Sequence, residues 1–181
     1  MPIDASPGPR PRAVDVRRAG AWEGPAATVV LDHDARFLRR KRLRTEEGQD
    51  FVADLPETVG LDDGDALVLE SGGLIAVLAA EEPLLEVRGP ALARLAWHIG
   101  NRHTPCQIEP DRLVIRDDKV LAEMLRGLGA SVQPVVAPFR PEGGAYGHGR
   151  TLPHSHGHRH DPAAHAHHHL SSADIAGDAG D

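Results

Sequence analysis

Cysteine is almost missing from this chain: Cys106 is the single one in 181 residues. No intramolecular disulfide can form, and a reducing compartment is the natural setting. Aromatics are scarce too, with two Trp, one Tyr and three Phe, so a core has to be built mostly from Leu, Val, Ile and Ala. No window approaches the roughly 18 to 20 apolar residues that span a bilayer. The start of the chain, Met1 to Pro9, holds no apolar stretch of the kind that marks a secretory leader. A cytoplasmic protein without membrane contact is expected. A basic excess is also lacking: 20 Lys and Arg against 27 Asp and Glu leave −7 with histidine neutral, which argues against general nucleic-acid binding. Catalytic patterns are missing as well. There is no phosphate-cradling Gly loop with a Lys, no nucleophile–base pairing and no paired carboxylates in any local pattern. The chain is not expected to be an enzyme.

What the chain has in excess is histidine. Its twelve histidines would carry the formal charge from −7 to +5 if all took a proton, a swing centred on mildly acidic pH. Nine of them fall near the C-terminus: His148, His154, His156, His158, His160, His165, His167, His168 and His169.

Hydrophobic patterning divides the chain into four parts. Residues 1–15, rich in Pro and small residues at their start, are expected to be disordered. Residues 16–82 read as a small all-β domain. Its strands are Ala26 to Leu31, Arg36 to Arg44, Asp50 to Leu55, Ala66 to Leu69 and Leu74 to Ala79, with turns at Gly48, Gly64 and Gly72-Gly73. Leu38 and Leu43 are five apart, so the second strand must contain one irregularity. Residues 83–138 change character. A strand from Leu84 to Val87 precedes a helix opened by Gly89-Pro90, with Leu92, Leu95, Ala96 and Ile99 on one stripe and a stop at Gly100-Asn101. Two strands follow, Pro105 to Ile108 and Leu113 to Ile115. A second helix, Lys119 to Leu128, is capped by Asp117-Asp118, and a last strand runs from Ser131 to Val136. This is a βαββαβ order of the ferredoxin-like kind. Residues 139–181 are expected to form a flexible, histidine-rich tail. The fold class expected is α+β: an N-terminal all-β domain, a ferredoxin-like domain and a disordered tail.

Chemistry is expected where the histidines are. Neutral imidazoles suit Ni, Zn, Cu and Co, and several on a mobile backbone can gather round one ion without a fold. An engineered tag would look similar, but this tail is interrupted by Ser, Gly, Arg, Asp, Pro and Ala and is followed by Leu170 to Asp181. His103 differs, because it follows a helix end where a fixed base can present it. Taken alone it reads as a surface or capping histidine. A two-fold axis would change that by duplicating it in one place. His98, one turn earlier, reads as a packing residue. Cys106 reads as a buried small hydrophobe, inert as a ligand. The run Arg39-Arg40-Lys41-Arg42 reads as a solvated strand face balanced by Asp50, Asp54, Glu57 and Asp62.

Two stretches carry a family resemblance. Trp97-His98-Ile99-Gly100-Asn101-Arg102-His103-Thr104-Pro105, and Pro138 to Tyr146 followed by the histidine tail, resemble the signature of UreE, the urease accessory metallochaperone. Leu61 to Asp65 and Glu82 to Val87 resemble family text as well. The resemblance implies a β domain similar to the peptide-binding domains of heat-shock co-chaperones, and a second domain that dimerises. It implies a homodimer that carries Ni(II) as cargo, with Zn(II) or Cu(II) as possible competitors. His103 would bind near the dimer axis, and His148, His154, His156, His158, His160, His165, His167, His168 and His169 would complete coordination. The implied partners are the assembly GTPase UreG and the urease pre-activation complex. A nickel or zinc storage protein without a dedicated client is the alternative. Some relatives carry histidines at the start of the second helix. Here Arg116 to Val120 has none, so a peripheral site there is not expected.

Overall fold

The computed structural model describes residues 10–24 and 26–143. The N-terminal half is a single sheet of six strands: β1 (Arg12–Arg17), β2 (Ala27–Leu31), β3 (Phe37–Arg44), β4 (Asp50–Gly60), β5 (Ala66–Leu69) and β6 (Leu74–Ala79). They lie in the order β2-β6-β5-β1-β4-β3. β1–β4 and β2–β6 are parallel and the remaining pairs antiparallel. All six strands feed one cluster, with Ala13, Val29, Leu43, Phe51, Leu67 and Val77 at its centre. No described helix covers this cluster, so strands alone enclose it.

The irregularity expected in β3 is present as a register shift between Leu38 and Arg40. It turns Leu38 and Leu43 to the core while leaving Arg39 to Arg42 exposed. Arg40 and Arg44 pair with Asp54 and Asp50 at 3.1 and 2.8 Å, in line with a solvated, charge-balanced face. Two expectations need correction. The strand β1 occupies Arg12–Arg17, and its first four residues fall in the stretch 1–15 expected to be disordered. It is held between β4 and β5, and Ala13 is fully buried. β4 runs to Gly60, five residues past Leu55. Pro56 does not stop it, because the β3–β4 register skips that part of β4 and needs no ladder donor there.

The C-terminal half is α+β. Its order is β7 (Glu81–Arg88), α1 (Leu92–Gly100), β8 (Cys106–Ile108), β9 (Leu113–Arg116), α2 (Lys119–Gly127) and β10 (Ser131–Pro138). The sheet runs β10-β7-β9-β8 with every neighbour antiparallel. Both helices cover one face. Leu95 and Ile99 of α1 and Leu121, Ala122 and Leu125 of α2 pack on Leu85, Val87, Leu113, Ile115 and Val132. Each large side chain buried this way contributes about 1.5–3 kcal/mol. The Asp118 side chain caps α2 by accepting from Leu121 N at 2.9 Å. Gly129 takes the left-handed turn after it, at φ +87°.

The opposite face of this sheet holds a smaller cluster of Leu84, Val114 and Phe139. The junction with the N-terminal half is on this side. Asp34 pairs with Arg116 at 2.9 Å, and Asp63 with Arg140 at 2.8 Å. His33 N donates to Glu82 at 2.9 Å.

Candidate functional site

His103 sits at the end of α1, where the chain leaves the helix in an unusual way. The helix stops where expected, at Gly100-Asn101, but neither residue makes the left-handed turn. Gly100 is its last helical residue and Asn101 keeps right-handed torsions. Asn101, Arg102 and His103 donate back to Trp97, Ile99 and Gly100 at 2.9 to 3.0 Å. The left-handed turn falls on His103 itself, at φ +54°, the one non-glycine residue with positive φ among those described. Histidine tolerates this region better than most residues but still pays a conformational penalty. The imidazole is exposed.

Strand pairing shows what shares that end of the sheet. Cys106 opposes Ile115, which opposes Leu85. β9 ends at Arg116, level with Leu84, and α2 starts three residues later. In β10, Val136 opposes Pro83. The C-terminal end of α1, the start of α2 and the end of β10 therefore meet at one end of the sheet. Three large apolar side chains stand exposed there: Trp97 at 63%, Val120 at 78% and Val136 at 64%. Trp97 and His98 touch edge to face, with ring centroids 5.0 Å apart. His98 is half-buried and its carbonyl accepts from Arg102 at 3.0 Å, which fits a packing role.

Cys106 begins β8, three residues past His103. Its thiol is partly buried, and burial together with the charge of Glu142 pushes it up to about 11. A thiol held neutral is a poor metal ligand. Among the described residues no three His, Cys, Asp or Glu side chains form a cluster that could hold an ion. One copy of the described fold thus offers His103 as a single exposed imidazole. The tail candidates His148, His154, His156, His158, His160, His165, His167, His168 and His169 lie outside the described residues.

The tail was expected to be flexible from residue 139 onward. Its first residues, from Phe139 through Glu142, are instead built into the fold. Phe139 is fully buried on the helix-free face, where Leu84 and Val114 receive it. Arg36 Nη2 donates to its carbonyl. Arg140 N donates to Gln107 Oε1 at 2.8 Å, and Glu142 N donates to the Cys106 carbonyl at 2.9 Å. Gln107 is fixed in turn, its Nε2 donating to Glu109 at 2.7 Å, with Glu109 bound by Arg112. Sequence reasoning missed Gln107, Arg36 and Phe139. Only Phe139 had a signal, as the one large apolar residue in a Pro- and Gly-rich stretch.

Two family models match the chain. The C-terminal domain of the UreE urease accessory protein matches residues 82–169, taking in the histidine tail, and the N-terminal domain matches residues 11–80. Urease accessory protein UreE of Cereibacter sphaeroides is 63% identical over 148 residues, 81% of each chain. The protein of that name from Rhodobacter capsulatus is 60% identical over 146 residues, 81% of this chain and 93% of its own. That of Paracoccus denitrificans is 64% identical over 125 residues, 69% of this chain and 80% of its own.

Proposed function

The chain belongs to the UreE family of urease accessory proteins, and on that premise we propose that it is a nickel metallochaperone. It binds Ni(II) as cargo and hands it on for assembly of the urease active site, acting as a carrier and not as a catalyst. Zn(II) and Cu(II) compete for the same imidazoles. The C-terminal half is a ferredoxin-like domain, a reading supported by its βαββαβ order and antiparallel sheet. It works as a homodimer in the cytoplasm, with the GTPase UreG and the urease pre-activation complex as partners. No helix among the described residues is long and apolar enough to cross a membrane.

The observation that carries the proposal is the setting of His103. An exposed imidazole on a left-handed turn lies at the sheet end where Trp97, Val120 and Val136 are left uncovered. A second copy packed there covers the apolar surface and brings two His103 side chains together across the axis. Tail histidines, with His148 or His154 nearest, then fill the remaining positions.

The test is nickel titration with mass determination in solution, for the full chain, for His103→Ala and for a chain ending at Tyr146. The full chain is expected to bind several ions per dimer. Truncation removes most of that capacity but leaves one weakened site, and His103→Ala abolishes that site. Because imidazole ligands must be neutral, binding weakens below about pH 6. Nickel binding by the truncated chain that ignores His103→Ala overturns the ordered site. Absence of nickel-dependent association with the GTPase overturns delivery.

A further inference from the structure

We propose that Phe139 to Gly143 form a strap that carries the root of the tail across the sheet to the neighbourhood of His103, and that Gln107 is the positioning residue holding it there. The proposal rests on the reading of His103 and tail imidazoles as ligands of one nickel ion.

The topology makes the point. β10, the last strand, lies at one edge of the sheet, and β8, which follows His103, lies at the other. Three strand spacings, about 14 Å, separate them. A tail that left the fold at Pro138 would start on the far edge from His103. The strap removes that separation. From Pro138 to Glu142 an extended chain covers about 14 Å, the width of the sheet. It passes beneath β7 and β9, where Phe139 packs on Leu84 and Val114. It arrives at β8, where Gln107 Oε1 accepts from Arg140 N at 2.8 Å and the Cys106 carbonyl accepts from Glu142 N at 2.9 Å. Cys106 is three residues from His103, a reach of no more than about 11 Å.

Gln107 is suited to the task by its second hydrogen bond. Its amide nitrogen is held by Glu109 at 2.7 Å, so its oxygen is turned toward the strap. Glu109 is itself locked by Arg112, which also binds Glu86 at 2.7 Å on β7. The contact therefore runs into a network that leads from β8 through the β8–β9 turn to β7.

The consequence is a short tether. Gly143 is five residues from His148, a reach of about 17 Å. If the chain were loose from Pro138, ten residues would intervene. Effective concentration falls roughly as the −3/2 power of tether length, so doubling the length costs about three-fold.

The experiment uses full-length chains titrated with nickel alone. Gln107→Ala loosens the strap. A five-residue Gly/Ser insertion after Gly143 lengthens the tether while leaving the fold untouched. Each is made in the native chain and in a full-length chain whose nine tail histidines are glutamine. The insertion is expected to weaken the tightest nickel site about three-fold in the native chain, and Gln107→Ala to weaken it by a smaller factor because Phe139 stays anchored, neither changing the total number of ions bound. Neither changes nickel binding in the glutamine-tailed chain. Undiminished affinity in the native background overturns the proposal. So does an equal loss in the glutamine-tailed background, which would mean that Gln107 acts on His103 by folding alone. Failure of the underlying nickel reading registers elsewhere, as a tight site that survives His103→Ala.

Discussion

Arg36 reaches across the junction and donates its Nη2 to the carbonyl of Phe139, 103 residues further along the chain. Both residues are buried, and the Phe139 ring meets that of His33 edge-on, with centroids 5.2 Å apart. Burial pulls the Arg36 guanidinium below its ordinary value, against the opposing pull of Glu82, Asp62, Asp63 and Asp32. A cation is kept in a dry position because a backbone carbonyl and a ring of carboxylates face it. One residue of the strap thus serves two purposes. It fills the underside of the C-terminal sheet, and it locks that sheet to the N-terminal half.

Phe139→Ala is expected to cost about 3–5 kcal/mol, the usual range for emptying a fully buried aromatic site. It should also uncouple the two halves. Calorimetry of the native chain gives one transition, and the variant gives two. A single transition at an unchanged midpoint contradicts this.

His103 separates stability from binding. An L-residue in the left-handed region carries a penalty of roughly 1–2 kcal/mol, which glycine avoids while losing more freedom on folding. The two effects nearly cancel, so His103→Gly should leave the denaturant midpoint within about 1 kcal/mol of native. Nickel affinity at the ordered site drops at least ten-fold in the same variant. Loss of stability together with binding would mean that the imidazole holds the turn.

Cys106 should be chemically quiet. With its thiol pushed up to about 11 by burial and by Glu142, little thiolate exists at pH 8. Alkylation by iodoacetamide is expected to be much slower in the native protein than in urea. Cys106→Ser should leave nickel affinity unchanged, and weakened binding would return the thiol to the ligand set.

Acid sensitivity has a local source. The Glu86 carboxyl is held below the usual range by hydrogen bonds from Arg88 and then Arg112, and that of Glu109 chiefly by Arg112. Both bind their proton less readily in the folded chain than in the unfolded one. Their stabilisation is complete above the ordinary glutamate value of about 4.3 and is lost as pH falls below it, through the folded values. The urea midpoint should therefore drop as pH falls below about 4.5. Arg112→Gln should lower it at neutral pH and flatten that acid slope. An equally steep slope in the variant places the titrating groups elsewhere.

Periodic elements were legible in the sequence. The stripe of Leu92, Leu95 and Ile99 marked α1, Asp118 marked the start of α2, and the five-residue gap between Leu38 and Leu43 marked the register shift in β3. Features that depend on distant partners were not legible. β1 is short and follows a Pro-rich run, and it is held as a strand by β4 and β5, which flank it. Gly100-Asn101 was legible as the helix stop, but the left-handed turn was not, because it falls beyond the stop, on His103. Phe139 belonged by composition to a tail, but Leu84 and Val114 leave a space for it that no local pattern reveals. Of the candidate site, His103 was visible as one histidine after a helix. The exposed surface of Trp97, Val120 and Val136 comes from three separate elements and exists only once the sheet has formed.

The edge strand β3 has one further consequence. It has a neighbour on one side only and carries Arg39, Arg40, Lys41, Arg42 and Arg44 along its length. Edge strands invite pairing with their own copies, the first step toward insoluble aggregates. Two copies of β3 brought together would set five cations against five at a spacing of about 4.8 Å. That edge of the sheet is thereby protected from growing by self-addition, and the basic run works there as a guard on solubility.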